Sequence, residues 1–214
     1  KMSFKDFLVE APLPDKWDKS KFKPRSFKEM IDYAKLQAPK LGSGSSRVAF
    51  EVEYKGRPTV IKVAKNKKGI IQNIEEVNYL DDGLIGTLDC VIPLIDYDEE
   101  NGDHGITWIH TEKADKAKAA DFVKETNVPL GDLVDYCYEI STGKKLPAFI
   151  NRNITGKIIN HDSDLVSSLQ DLFAGAEGLL PGDLCRIANW GKYDGRLVVI
   201  DLGFNDISSR LYQL

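Results

Sequence analysis

Asp183, Asn189 and Asp201 lie in the last part of the chain, in the runs Gly182-Asp183-Leu184 and Val198-Val199-Ile200-Asp201-Leu202-Gly203. A hydrophobic strand ending in Asp-x-Gly presents its carboxylate at the strand end, where it can bind a hard cation. Asn189 adds a neutral oxygen ligand, and Asp183 can accept a proton from an incoming hydroxyl. An Asp-Gly turn after a strand is common; the ordered Asp, Asn, Asp series is not. Upstream, Gly42, Ser43, Gly44, Ser45, Ser46 and Arg47 form a flexible turn before a strand. Glycines there let backbone N–H groups approach phosphate oxygens, and the serines add donors. Taken alone, such a turn is usually only a turn.

Two further charges complete the set. Lys62 sits in the apolar run Val60 to Val63, on the strand face of Val60 and Ala64 and away from Thr59, Ile61 and Val63. Its bland reading is an exposed strand lysine, yet it falls one hairpin after the Gly/Ser turn, where a phosphate-pairing lysine is needed. Glu75 and Glu76 follow on a helix. A carboxylate there can hold the Lys62 ammonium toward phosphates, and Glu76 is preferred to Glu75, although helix glutamates are mostly solvated.

The elements that must position these residues are legible from periodicity. Residues 3–10 carry Phe4, Phe7 and Leu8 at helical spacing, and residues 15–25 read as a polar linker. The capping box Ser26-x-x-Glu29 opens a second helix that should end before Pro39. Alternating Val48, Phe50, Val52 and Tyr54 predict a strand, and a turn at residues 55–58 joins it to a strand over 59–64. Residues 69–80 predict a helix, and 91–97 with 106–111 another strand pair. Residues 115–124, 130–140 and 162–180 predict helices, 141–160 are ambiguous, and two short strands bracket Asp194 and Gly195.

Composition narrows the class. The 214 residues carry a formal net charge of −4, which argues against general nucleic-acid or anionic-membrane binding. Cys90, Cys137 and Cys185 have no CxxC spacing and read as reduced thiols in a cytoplasm-like compartment. His104, His110 and His161 make no zinc-ligand pattern. The apolar runs are too short to span a bilayer.

The ordered set resembles the protein-kinase-like superfamily, in which a Gly-rich loop, a strand lysine paired to a helix glutamate, a catalytic Asp and Asn, and an Asp-Phe-Gly metal site occur in that order. The resemblance spans about residues 41–204. It implies an α+β, protein-kinase-like two-lobe fold, with a five-stranded antiparallel N-lobe sheet and a reduced helical C-lobe. The implied organisation is an amphipathic segment and linker over 1–25, an N-lobe with its preceding helix over 26–113, and a C-lobe over 114–214. It implies ATP between the lobes, contacted by Gly42, Ser43, Gly44, Ser45, Ser46, Arg47, Lys62 and Glu76, with Glu112 and Ala114 as the hinge beside adenine. Lys62 and Asp183 are the implied catalytic residues, and Asn189 and Asp201 the implied magnesium ligands.

Departures from the pattern carry their own expectations. Arg47 replaces the third loop glycine, so it either adds bulk or touches phosphate. Pro181-Gly182-Asp183 is closer to the His-Gly-Asp of aminoglycoside-phosphotransferase-like kinases than to His-Arg-Asp, without the His. Asp183 and Asn189 are six residues apart where the family pattern has about five. Only ten residues follow Phe204, which leaves no room for the family's peptide-docking helices and implies an acceptor held by other means. Residues 2–11 also resemble the capsid-targeting peptides of internal head proteins in T-even-type tailed phages, which are cut after Leu-x-Glu; Leu8-Val9-Glu10 fits, as does a plain packing helix. The expected function is an ATP- and Mg-dependent phosphotransferase, a minimal protein kinase acting on an unknown protein or small-molecule acceptor, with a host protein among the candidates. It would work in the cytoplasm, that of the host if phage-encoded, or be packaged in the virion. The alternatives are a pseudokinase-type binding module or an internal phage protein that binds a host factor. A rearranged site transferring AMP is a further variant.

Overall fold

The computed structural model describes residues 13–22, 26–99, 105–144 and 159–203. The amphipathic helix expected over 3–10, its Leu-x-Glu tripeptide, His104, most of the ambiguous 141–160 stretch and Phe204 lie outside them. The chain divides into two compact units, Lys1–Ile74 with Leu94–Lys113, and Glu75–Pro93 with Ala114–Leu214. The described residues form an α+β protein with a five-stranded antiparallel sheet and six α-helices.

The five strands belong to the first unit. They are β1 (Lys40–Ser43), β2 (Arg47–Tyr54), β3 (Arg57–Ala64), β4 (Leu94–Tyr97) and β5 (Trp108–Glu112), in the order β1-β2-β3-β5-β4. β2 and β3 pair without a slip from Arg47 opposite Ala64 to Tyr54 opposite Arg57. Lys55 and Gly56 both take positive φ in the connecting turn, the geometry that suits the twist of a tight hairpin. The alternation therefore sends Val48, Phe50, Val52, Ile61, Val63 and Trp108 to one face, where they are buried.

That face is covered by α1 (Phe27–Gln37), through Met30 and Ala34, and by Leu13, Trp17 and Phe22. Ser26 caps α1 by accepting the Glu29 N–H at 3.3 Å, and the helix ends at extended Ala38 before Pro39. Trp17 stacks on Phe22 at 5.3 Å and meets Tyr33 edge-on at 5.8 Å. The stretch expected to be a polar linker over 15–25 is thus partly core. Its two aromatics are spaced at no regular period, so no pattern announced them, but tertiary packing buries both. β4 is shorter than the expected 91–97 because Val91 instead bridges Val199, and Pro93, without an N–H, cannot continue a ladder between them.

α2 (Lys67–Leu80) runs through the division between the units. The second unit contains α3 (Ala119–Thr126), α4 (Leu130–Thr142), α5 (Asp164–Gly175), the one-turn α6 (Pro181–Leu184) and a small antiparallel sheet in the order β6-β7-β8. Its strands are β6 (Asp115–Lys116), β7 (Trp190–Tyr193) and β8 (Arg196–Val199). α4 and α5 pack together, burying Leu133, Val134 and Cys137 on one helix and Leu165, Leu169 and Leu172 on the other. The helix expected over 115–124 begins only at Ala119, since Asp115 and Lys116 pair with β7. Asp121 starts it by accepting the Lys118 N–H at 2.8 Å. α5 ends at Gly175 and not at residue 180. Among the described residues no helix is long and apolar enough to cross a membrane.

Candidate functional site

The candidate residues fall into two local constellations, one in each unit. In the first, Gly42 and Ser43 belong to β1, and the turn itself is residues 44–46. Gly44 N–H donates to the Arg47 carbonyl at 3.0 Å, and the Ser46 carbonyl accepts the Lys65 N–H at 2.7 Å. Lys65 Nζ donates to the Gly44 carbonyl at 2.8 Å, and Asn66 Nδ2 to the Ser45 carbonyl at 3.3 Å. Among the described residues neither Ser45 nor Ser46 gives its N–H to a backbone carbonyl. Adjacent donors of that kind suit anionic oxygens.

The turn is also fastened to α2. Ser46 Oγ donates to Gln72 Oε1, and Arg47 donates to Asn73 Oδ1 at 3.2 Å. Asn73 Nδ2 in turn donates to the Ile106 carbonyl at 3.0 Å. A Cβ on Gly69 would lie 2.2 Å from the Ser46 carbonyl oxygen, so only glycine lets helix and turn approach this closely. Arg47 is 8% exposed, and its guanidinium serves a buried carboxamide.

Lys62 lies opposite Ala49 on β2 and Ile109 on β5, half-buried, on the face away from the aromatic core. Glu75 is half-buried, whereas Glu76 is fully buried. A buried carboxylate is costly unless compensated, which marks Glu76 as the more constrained of the two. At the end of β5 the Glu112 carboxylate is ion-paired with Arg57, so Glu112 offers a ligand only its backbone. Lys113 pairs with Glu51 at 2.9 Å.

The second constellation is built around one-turn α6. Asn189 Nδ2 donates to the Asp183 carbonyl at 2.9 Å, and the Asp183 carbonyl also accepts the Arg186 N–H at 3.1 Å. Ile200 N–H donates to the Asn189 carbonyl at 2.9 Å, which sets Asp201 one residue beyond that contact. Trp190 Nε1 donates to the Leu184 carbonyl at 2.7 Å, and its ring meets Phe122 edge-on at 5.2 Å. Trp190 and Leu184 are both buried, so the loop is anchored by an indole. Asp201 Oδ1 accepts the Gly203 N–H at 3.2 Å. Ala114, the other hinge candidate, touches this region, since a Cβ on Gly191 would fall 2.4 Å from the Ala114 Cβ.

This arrangement suits a magnesium ion in one respect. The Asn189 amide donates to the Asp183 carbonyl, and its Oδ1 is a hard oxygen of the kind magnesium takes. Among the described residues no group of three or more His, Cys, Asp or Glu side chains could hold a metal. Magnesium needs no such cage, because it takes one or two protein oxygens and completes its shell with water and phosphate.

Sequence reasoning missed Arg186, whose guanidinium lies 3.5 Å from Asp183 Oδ1. Its signal was the i,i+3 spacing from Asp183. It also missed Gln72 and Asn73 as fasteners of the turn, which required knowing where α2 packs. Measured against known proteins, the chain matches no family model and no curated protein.

Proposed function

We propose that this chain is an ATP- and Mg-dependent phosphotransferase, a minimal protein kinase of the protein-kinase-like two-lobe class acting on a protein acceptor. The observation that carries the reading is the loop in which Asn189 binds Asp183 through its side chain and Ile200 through its backbone. One short network thereby joins Asp183 and Asn189 to Ile200, the residue before Asp201, despite the extra residue between the first two.

Magnesium-bound ATP supplies the electrophilic phosphoryl group, and the protein supplies positioning and charge stabilisation. On this reading, in the first unit Gly42, Ser43 and the turn of Gly44, Ser45 and Ser46 would meet phosphates, Lys62 would orient them, and the Glu112 backbone would meet the adenine edge. In the second unit Asp183 would accept the acceptor's hydroxyl proton and Asn189 with Asp201 would hold the metal, with Glu76 and Ala114 as further candidates.

The test is intact-mass analysis of the protein and a cell lysate after incubation with magnesium and labelled ATP, with Asp201→Ala alongside. One phosphate gained on a protein, and absent with Asp201→Ala, supports the reading and identifies the acceptor. Equal labelling by Asp201→Ala and Asp183→Asn overturns it, and transfer of AMP replaces the chemistry.

A second reading is a pseudokinase-type binding module, which the Arg186–Asp183 ion pair favours because it engages the carboxylate that would accept the proton. It requires ATP binding or partner capture unaffected by Asp183→Asn. If the chain is phage-encoded, the acceptor or partner would be a host cytoplasmic protein.

A further inference from the structure

We propose that Arg47 and Asn73 are positioning residues that strap the 44–46 turn to α2, so that its N–H groups are already set for the oxygens of a nucleotide phosphate. The phosphate's identity rests on the phosphotransferase reading; the strap does not.

A turn built from glycine and serine samples many conformations, and ordering it on binding costs affinity. A third glycine at position 47 would add to that freedom. Arg47 does the reverse. As the first residue of β2 it lies opposite Ala64, and its guanidinium is almost wholly buried. A buried guanidinium must find acceptors, and Asn73 provides one at 3.2 Å.

Asn73 is fully buried and uses both ends of its carboxamide. Oδ1 accepts from Arg47 while Nδ2 donates to the Ile106 carbonyl just before β5. One side chain therefore ties together the start of β2, the middle of α2 and the entry to β5. The Ser46–Gln72 hydrogen bond runs beside it, and Gly69 removes the side chain that would hold helix and turn apart. Among the described residues, Ser45 and Ser46 keep their N–H groups out of the backbone network through all of this. The consequence is a rigid receptor for an anion and not a flap that folds over it.

The test uses the full chain with Asn73→Leu and Arg47→Met, and Arg47→Lys as the conservative variant should Arg47→Met fail to fold. Hydrogen exchange of the free protein is read over 44–47, with α5 as the internal control. The expected result is exchange about tenfold faster or more in the turn of Asn73→Leu and Arg47→Met, the effect of losing one charge-assisted hydrogen bond, with Arg47→Lys between them and wild type. Unchanged exchange in the turn while the control stays protected overturns the strap. Titration with MgATP is then expected to show dissociation constants about tenfold weaker in the same variants, and any turnover should show a raised KM with little change in kcat. Faster exchange with unaltered MgATP affinity overturns the preset receptor. A wild-type chain that binds no MgATP overturns the phosphotransferase reading and the phosphate receptor with it, and the strap then stands or falls on the exchange result.

Discussion

Asn189 Nδ2 lies 2.9 Å from the carbonyl oxygen of Asp183, a hydrogen bond that closes a loop between residues six apart. The Asp183 carbonyl also accepts the Arg186 N–H, and Trp190 Nε1 holds the carbonyl of Leu184. Between Asp183 and Asn189 lie the end of α6 and a 3-10 turn at Ile187–Asn189. The polar ends at Asp183 and Asn189 are kept in register.

If the proposed function holds, Asn189 has two duties, the bond to Asp183 and a cation ligand, which substitution can separate. Asn189→Asp keeps an oxygen for a cation but sets a carboxylate against the Asp183 carbonyl. Asn189→Leu removes both functions while filling similar space. Each should lower stability by about 1–2 kcal/mol, the cost of losing a partly buried hydrogen bond, read as a shift in the urea midpoint. Asn189→Asp should retain more magnesium-dependent nucleotide binding than Asn189→Leu. Equal stability in all three proteins would show that the bond does not organise the loop.

Gly191 is needed for a steric reason. A Cβ there would meet Ala114 Cβ at 2.4 Å, the Asp115 carbonyl at 2.9 Å and Ile200 Cγ2 at 3.1 Å. Gly191→Ala should therefore destabilise by about 1–3 kcal/mol, in the range of overpacking. Ala114→Gly in the same chain should return part of the loss by removing the shortest contact. Full recovery in the double variant would mean that the Asp115 carbonyl adapts freely, and no loss in the single variant would show that β6 and β7 can move apart.

Much of this was legible in the sequence, for a physical reason that differs from element to element. Val48, Phe50 and Val52 alternate because one face of β2 is buried, so strand and face are both readable. Ser26 announces α1 because a cap is a local device. Asp115 and Lys116 read as helix because a two-residue strand has no periodicity, and their partners on β7 lie about 75 residues away. Trp17 and Phe22 were read as linker because their burial depends on α1 and Trp108. At the candidate site, residue types and order were visible, but the tie between Arg47 and Asn73 was not. It joins residues 26 apart in sequence, and nothing in either segment signals the other.

The three cysteines should be poor nucleophiles. Burial pushes the Cys90 and Cys137 thiols up to about 12 and Cys185 up to about 11, and all three are free. At pH 8 about one Cys90 in ten thousand would be thiolate, against about one in ten for an open thiol near 9. A thiol reagent at pH 8 should label the native protein slowly and the urea-denatured protein at all three positions within minutes. The folded values lie above the unfolded ones, so stability present below pH 9 should be lost as pH rises toward 11–12. Rapid native labelling of Cys90 would contradict its burial.

Asp121 should set part of the acid limb. It accepts the Lys118 N–H at the start of α3 and pairs with Lys192 at 3.2 Å, and these contacts, the backbone bond first, hold its carboxyl below the ordinary value of 3.8. A depressed folded value stabilises above the unfolded value and is lost as pH falls through the folded one. Glu125, near the end of the same helix, has the opposite sign, since burial raises its carboxyl, so the fold favours its protonated form as pH falls. Asp121→Asn should therefore lower the thermal midpoint at pH 7 and leave it close to wild type below pH 3. Glu125→Gln should do the reverse, raising the midpoint at pH 7 and converging on wild type in acid. Thermal melts of the three proteins from pH 2.5 to 7 separate the two effects, and parallel curves for Asp121→Asn and wild type would show that the cap carries no charge-dependent stability.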